Sequence, residues 1–196
     1  MRFATWNLNS VTARLPRLLE WLDQTKPDVL CVQETKVAAD SFPTEQIAPL
    51  GYEIAHHGQG RWNGVGIISR VGLADVVRGF SGDPGFPDEA TVEARAIGAS
   101  CGPLRVWSIY VPNGRTPADP HYAYKIEWLK ALGESLKSEL ASHPMLALVG
   151  DFNIAPTDAD VWDVQQFVDA THVTAPERAA LADLQALGLK DVFPRA

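Results

Sequence analysis

The stretch MLALVGDFN, residues 145–153, joins a short apolar run directly to an acid and an amide. Such a run, closed by glycine, predicts a buried β-strand over residues 145–149. Asp151 and Asn153 then stand just beyond the end of that strand. An acid in this position is most often a turn former or a helix cap, so the stretch needs partners before it indicates a functional site.

Three other apolar runs along the chain end in the same way, with polar residues at or just past their last position. They are residues 3–8 with Asn7, residues 28–32 followed by Gln33-Glu34, and residues 104–111 with Tyr110 and then Asn113. Four such strand ends, on strands that can lie side by side, predict one shared pocket.

Helical patterns alternate with these strands. Apolar spacing predicts helices over residues 15–22 and 122–140, and Thr174-Ala175-Pro176-Glu177 opens a last helix as a capping box. Residues 64–69 and 92–99 are predicted as further strands between glycine and proline turns. Strands outnumber helices and short turns join several of them. The sequence therefore predicts an α/β protein with a mixed sheet and helices outside it.

Composition sets the broad class of protein. The chain has 196 residues, of which 46% are apolar and 21% charged, as expected for one globular domain. No apolar run is long enough for a membrane span, and two isolated cysteines form neither a disulfide framework nor a zinc site. We therefore expect a cytoplasmic protein without a membrane partner. The formal net charge of −7 argues weakly against nucleic acid but does not exclude it, because carboxylates that hold a cation add to this charge.

The residue types at the four strand ends suit one kind of chemistry. Carboxylate and amide oxygens are hard ligands that match Mg²⁺, whereas zinc favours the Cys and His side chains that these motifs lack. A metal held by Glu34 with help from Asn7 could polarise a phosphate, and Asp151 could orient or deprotonate a water. Asn153 and Tyr110 add neutral donors for the charge that develops on phosphorus-bound oxygens.

Several blocks of sequence resemble one family along nearly the whole chain and in the family's order. They are TWNLN at residues 5–9, PDVLCVQETK at 27–36, LGY at 50–52, NGVGI at 63–67, YVPNG at 110–114 and GDFNIAPTD at 150–158. The chain is similar in these blocks to the exonuclease III family of bacterial apurinic/apyrimidinic (AP) endonucleases, within the endonuclease/exonuclease/phosphatase superfamily. The QETK and GDFNIAPTD blocks are the specific ones, because WN or VPN alone would be weak.

This resemblance implies a fold, a site and an activity. The implied fold is a four-layer α-β-β-α sandwich of the DNase I-like type, with two packed mixed sheets flanked by helices. The implied activities are Mg²⁺-dependent hydrolysis on the 5′ side of abasic sites in double-stranded DNA, 3′-to-5′ exonuclease action at 3′ ends and 3′-phosphatase action, all in base excision repair. Mn²⁺ could replace Mg²⁺, and a monomer is expected.

The resemblance also assigns roles to individual residues. Asn7 and Glu34 correspond to metal-site residues, Asp151 to the acid that handles the proton, and Tyr110 to the active-site tyrosine. Asn153 corresponds to the transition-state stabiliser and neighbour of the metal. Asn113 and Arg115 lie where the family grips the DNA backbone.

One departure concerns the end of the chain. The family closes with an aromatic loop, an R-I-D block and a final S-D-H block, and this sequence stops at Ala196 before any of them. We therefore expect a single domain over residues 1–196, truncated at its C-terminus, with C-terminal strands of the second sheet missing. A fragment of a longer protein is favoured over a truncated relative with impaired catalysis.

Two other functions stay open at this point. One is a phosphatase or phosphodiesterase of the same superfamily that acts on inositol phosphates or lipids. The other is a non-catalytic fragment that binds DNA or a metal. Among smaller features, Trp62 is a candidate for contact with DNA, and His56-His57 is not expected to form a metal pair because neighbouring strand residues point to opposite faces.

Overall fold

The computed structural model describes residues 1–86 and 92–192. The strands are β1 (Phe3–Asn7), β2 (Val29–Gln33), β3 (Glu53–His57), β4 (Val65–Ser69), β5 (Ala74–Arg78), β6 (Ala96–Cys101), β7 (Leu104–Tyr110) and β8 (Leu146–Asp151). The α-helices are α1 (Val11–Thr25), α2 (Thr44–Ile47), α3 (Pro120–Ser142) and α4 (Ala175–Ala186), and 3₁₀ turns cover Ala39–Ser41, Ala48–Leu50, Asp158–Asp160 and Val164–Phe167. Residues 193–196 lie outside the described ranges, and the expected truncation of the family pattern at Ala196 stays a prediction.

The strands form two mixed sheets. The first has the order β1-β2-β4-β3, with β1 and β2 parallel and the other pairs antiparallel. The second has the order β5-β6-β7-β8, with β7 and β8 parallel and the other pairs antiparallel. Each parallel pair brings two carboxyl ends to the same edge of its sheet, which is where the candidate site residues stand.

Three apolar clusters account for the layers. One packs α1 and α2 against the outer face of the first sheet through Leu18, Leu22 and Ile47. A second lies between the two sheets and includes Ile67 and Val106. A third packs α3 and α4 against the outer face of the second sheet. The predicted four-layer α-β-β-α sandwich with two mixed sheets is therefore confirmed.

Several local expectations need correction. The strand predicted over residues 92–99 begins only at Ala96, because the chain turns between Glu93 and Arg95. The first helix starts earlier than residue 15: Ser10 caps it, and Pro16 lies inside it. The helix predicted over residues 122–140 is slightly longer, since α3 covers Pro120–Ser142, and its buried side consists of His121, Tyr124, Lys125, Trp128, Leu129, Leu132 and Leu136.

The expected capping box of the last helix is confirmed. Thr174 and Glu177 form the predicted capping box at the start of α4, and the helix ends just before Gly188. Both cysteines, Cys31 and Cys101, are buried free thiols. Across residues 1–86 and 92–192, the structure has no helix with the length and apolar character that a membrane crossing requires.

Candidate active site

The four strand ends meet at one edge of the two-sheet sandwich. Asn7 is paired with Gln33 in the first sheet, so Glu34 follows directly beside it. Tyr110 is paired with Asp151 in the second sheet. Gln33 connects the two sheets just below, because its amide donates to the Ser108 hydroxyl at 3.1 Å. The structure therefore brings the four strand ends together, although they are far apart in the sequence.

Asn7 joins the two carboxylates of the site. Its Nδ2 donates at 2.8 Å to Oε1 of Glu34 and at 2.8 Å to Oδ2 of Asp151. Its Oδ1 accepts from the backbone N–H of Asn9 at 3.0 Å, which fixes the amide orientation. Each of these two carboxylate oxygens lies 2.8 Å from Nδ2 of Asn7. The distance between the two oxygens is therefore less than twice this hydrogen-bond length. Two carboxylates this close form a centre suited to a cation.

The backbone at the strand ends adopts an uncommon conformation. Glu34, Lys36 and Asn153 have φ values of 51°, 55° and 50°, in the left-handed region that non-glycine residues seldom occupy. Bulky residues persist there only when the surrounding structure fixes them, and such residues concentrate at functional sites. The turns after β2 and β8 therefore hold Glu34 and Asn153 in place at an energetic cost.

Glu34 is ionised in this environment. Burial alone would raise the pKa of its carboxyl, but hydrogen bonds from Lys36 and Asn7 outweigh burial and lower the pKa. The Lys36 ammonium lies 2.8 Å from Oε2 of Glu34 and also binds the side chain of Asn9. Lys36 therefore pairs with a carboxylate of the site.

Tyr110 is a protonated donor at neutral pH. Burial, together with the negative charge of Glu34, raises the pKa of its phenol to about 12. Arg95 braces this residue: its guanidinium lies 4.9 Å from the Tyr110 ring centre, and its backbone carbonyl accepts from the Tyr110 N–H at 2.8 Å. Arg95 pairs in turn with Glu93 at 2.6 Å, and Glu93 accepts from Asn63 at 2.8 Å. The loop before β6 therefore helps to hold Tyr110 in position through Arg95.

Asn153 stands between Asp151 and Asn113. Its backbone N–H donates to Oδ1 of Asp151 at 3.0 Å, and its Nδ2 donates to the carbonyl of Val111 at 2.9 Å. Its Oδ1 is turned toward Nδ2 of Asn113 at 3.4 Å and Nε2 of His172 at 3.1 Å. An open cleft of about 500 Å³ runs along this side of the site, with His172 among its lining residues.

The remaining predicted residues lie on the surface of the protein. Arg115 is exposed, with its guanidinium 3.7 Å from Asp119 and over the ring of Phe86. Its backbone N–H donates to Oδ1 of Asn113, so the two residues share one turn. Trp62 is 67% exposed, which leaves its ring open to a partner.

No group of three or more His, Cys, Asp or Glu side chains able to hold a metal ion occurs within the two described ranges. His56, in particular, binds the Thr35 hydroxyl at 2.8 Å and is part of the interior. The oxygen donors at the site are two carboxylates and several amides, a set that fits Mg²⁺, which commonly takes one or two carboxylates and keeps several waters.

Three residues near the site were missed by sequence reasoning: Lys125, Glu177 and His172. Lys125 is a charged residue on the buried side of α3, and this position was the available signal, because a lysine among Trp128, Leu129 and Leu132 needs a buried partner. That partner is Glu177, which the sequence identifies only as part of a helix cap. For His172 we find no sequence signal.

The fold and the site together define a class: α/β proteins of two packed mixed sheets, with acids and amides gathered at one sheet edge. The chain belongs to the Endonuclease/Exonuclease/phosphatase family, whose model matches residues 4–187.

Relatives with known names agree with this membership. The chain is 31% identical over 162 residues to exodeoxyribonuclease III from Haemophilus influenzae, and 28% identical over 196 residues to recombination repair protein 1 from Drosophila melanogaster. Among solved structures, the 3′-5′ exonuclease NExo from Neisseria meningitidis is 37% identical with a TM-score of 0.88, over 95% of this chain and 71% of that one. An AP endonuclease from Archaeoglobus fulgidus is 31% identical with a TM-score of 0.87, over 95% of this chain and 70% of that one.

The matches cover a larger share of this chain than of its relatives. The comparison covers 82% of this chain but 60% of the Haemophilus enzyme, and 98% of this chain but 28% of the Drosophila protein. The matched part therefore spans less than two thirds of the length of each of these two relatives.

Proposed function

We propose that this protein is a metal-dependent hydrolase of DNA phosphoester bonds that acts in base excision repair. Its reactions would be incision on the 5′ side of abasic sites, 3′-to-5′ exonuclease action and removal of 3′-phosphates. The observation that carries the proposal is the Asn7 amide, which holds Glu34 and Asp151 within one hydrogen bond of a single nitrogen. Family membership adds support, since relatives carry the names exodeoxyribonuclease III and AP endonuclease.

Asn7, Glu34, Asp151 and Asn153 are the residues that would hold the cation, with Mg²⁺ as the first choice and Mn²⁺ as a substitute. When bound, the cation would polarise the phosphate and neutralise charge. The lowered pKa of Glu34 keeps this carboxylate ionised and ready to bind a cation at neutral pH. Lys36 neutralises the same carboxylate, and its flexible side chain can move aside when the divalent cation binds.

Asp151 would orient the attacking water and accept its proton. The Asn7 amide and the Asn153 backbone N–H each donate to one Asp151 oxygen, so the carboxylate is fixed while lone pairs remain available. Tyr110, protonated because of its raised pKa, would donate a hydrogen bond to the charge that develops on the phosphate. The amide of Asn153 would add a second neutral contact.

The partner would be double-stranded DNA with an abasic site or a 3′ end. Asn113 and Arg115 share one turn on the surface, where they could bind backbone phosphates, and exposed Trp62 could stack on a base. A related structure, 36% identical, is a 3′ phosphatase from Neisseria bound to product DNA hairpin. We further propose that the protein acts as a monomer in the cytoplasm, where its two free thiols would stay reduced.

The test uses the purified protein, together with any segment that follows residue 196 in the full-length protein, and three DNA substrates: a duplex with one abasic site, a nicked duplex with a 3′-phosphate, and a duplex with a recessed 3′-hydroxyl. Each is assayed with Mg²⁺, with Mn²⁺ and with EDTA, beside an inositol polyphosphate as the competing substrate class. We expect metal-dependent cleavage of at least one DNA substrate, lost in Asp151→Asn. Faster turnover of the inositol polyphosphate, or no cleavage of any DNA, would overturn the proposal.

A further inference from the structure

A fully buried ion pair lies directly beneath the site. Lys125 on α3 and Glu177 at the start of α4 are 2.5 Å apart, and both side chains have 0% exposure. Buried pairs of this kind contribute little net stability, because desolvation offsets most of their attraction. Their presence therefore calls for another reason, and the contacts that the pair makes provide one.

The Lys125 ammonium binds the backbone of two site residues at once. Its Nζ donates at 2.6 Å to the carbonyl of Asn153 and at 3.2 Å to the carbonyl of Asn113. These two asparagines lie 40 positions apart in the sequence, on the turns that follow β8 and β7. The ammonium group of Lys125 therefore sets the distance between the two turns.

Glu177 anchors the other side of the same cluster. Its Oε1 accepts from the Thr171 hydroxyl at 2.5 Å and from the His172 N–H at 2.9 Å. The Thr171 hydroxyl also lies 3.0 Å from the carbonyl of Asn113. The segment that carries His172 to the site is thus held by the carboxylate, just as the two asparagine turns are held by the ammonium.

The packing around the pair leaves little freedom. A Cβ added at Gly114, next to Asn113, would lie 2.8 Å from the Thr171 hydroxyl and 3.1 Å from Cδ of Lys125. The side chains of Asn113, Asn153 and His172 then meet above it, within 3.1–3.4 Å of each other. A shift of the ammonium would move all three.

We propose that Lys125 and Glu177 are positioning residues for the active site: the pair fixes Asn113, Asn153 and His172 relative to one another and touches no substrate itself. The inference rests on the proposed function for its catalytic readout. A purely structural pair predicts something different, since an apolar replacement of both partners would then restore activity together with stability.

The test compares Lys125→Met, Glu177→Leu and the double variant. Each single change leaves one buried charge unpaired, so both should lower the melting temperature, and the double variant should recover most of it. We expect turnover (kcat) of the double variant on DNA to stay ~10-fold or more below wild type, because small misplacements of site groups are costly, with a smaller change in KM. The side-chain amide NMR signals of Asn113 and Asn153 should shift as well.

The matched control is Lys137→Met with Glu134→Leu, which removes an exposed ion pair from the same helix. It should change neither kcat nor the asparagine signals. A stable Lys125→Met/Glu177→Leu protein with wild-type kcat and unshifted asparagine signals would overturn the proposal. If wild type cleaves no DNA, the proposed function fails, and the NMR signals alone decide the positioning role.

Thr171→Val serves if the double variant does not fold. It removes the hydroxyl that links Glu177 to the Asn113 carbonyl and leaves no buried charge unpaired. We expect a shift of the Asn113 signal, and an unshifted signal would count against the proposal.

Discussion

At the scale of single residues, the spacing of the site depends on one amide. Asn7 donates to Glu34 and Asp151 with the same nitrogen, so the two carboxylates face each other across an uncharged group. A neutral bridge adds no negative charge between the two carboxylates, whereas a third carboxylate there would repel both of them. The choice of asparagine over aspartate at this position is therefore part of the chemistry.

Removal of either carboxylate should abolish most of the activity. In the proposed mechanism, Asp151→Asn takes away the group that would accept the proton from water, and Glu34→Ala takes away a carboxylate that would bind the cation. For each we expect a loss of at least ~10²-fold in rate. Steady-state cleavage of a duplex with one abasic site measures the loss. Asp23→Asn, which changes an exposed acid on α1, is the control and should cleave at the wild-type rate.

Near wild-type incision by Asp151→Asn or Glu34→Ala would show that the site is assigned to the wrong residues. Folding of each variant is checked first by circular dichroism, because loss of a buried hydrogen-bond partner can also destabilise the protein.

The residues that sequence reasoning reached, and those it missed, differ in how they are placed. Asn7, Glu34 and Asp151 lie at strand ends, and an apolar run that ends in polar residues can be recognised in the amino-acid sequence. Lys125 and Glu177 meet only because α3 and α4 pack side by side. A pairing of that kind depends on tertiary structure, so the sequence offers a buried lysine but no partner for it.

At the scale of elements, the pairing of β7 with β8 relies on a glycine within β8, directly before Asp151. Gly150 has φ 142°, and a Cβ there would lie 1.9 Å from the carbonyl oxygen of Ile109 on β7. That neighbour is backbone in a hydrogen-bonded strand and cannot move aside. The two parallel strands therefore approach closely just before Asp151.

Gly150→Ala should destabilise the protein by well over ~1 kcal/mol, because the usual cost of an unfavourable φ is joined by a clash with the neighbouring strand. Urea unfolding followed by tryptophan fluorescence measures this change. Gly188→Ala separates the two effects: Gly188 has φ 106° at the end of α4, and its Cβ would meet nothing within 4 Å. It should show only the conformational cost of ~1–2 kcal/mol. Equal losses in the two variants would mean that the clash at β7 is relieved.

The strands that the sequence did not reveal share a physical trait. β3 contains Glu53 and two histidines, and β5 is exposed at four of its five positions, so neither has a continuous apolar run. Both lie at the edge of a sheet, where a strand has a neighbour on one side only and packs less against the core. Central strands such as β2 and β4, buried at every position, were readily predicted.

At the scale of the whole molecule, stability should depend on pH through Glu177. Burial opposes ionisation of this carboxyl, but hydrogen bonds from Lys125, Thr171 and the His172 backbone lower its pKa from 4.5 to about 2. A group whose pKa is lowered by folding stabilises the folded state above its unfolded pKa. That contribution is therefore complete above pH 4.5 and disappears as the pH falls toward 2.

The free energy of unfolding should thus decrease between pH 4.5 and 2, and the decrease should be smaller in Glu177→Gln. Urea titrations at half-unit pH steps measure both slopes. Glu134→Gln, on the exposed face of α3, is the control and should follow wild type closely. Parallel pH profiles for wild type and Glu177→Gln would contradict the assignment.

Each sheet is built from one contiguous stretch of chain: residues 3–69 form the first and residues 74–151 the second. Asn7 and Glu34 belong to the first stretch, Tyr110 and Asp151 to the second. A chain cut within residues 70–73 would accordingly give two pieces, each with only half of the proposed active-site residues. Neither piece alone should turn over substrate. The proposed hydrolytic activity would return only when the two pieces reassemble, so this architecture suits a fragment-complementation reporter, in which the rate of hydrolysis would measure how many pairs have formed.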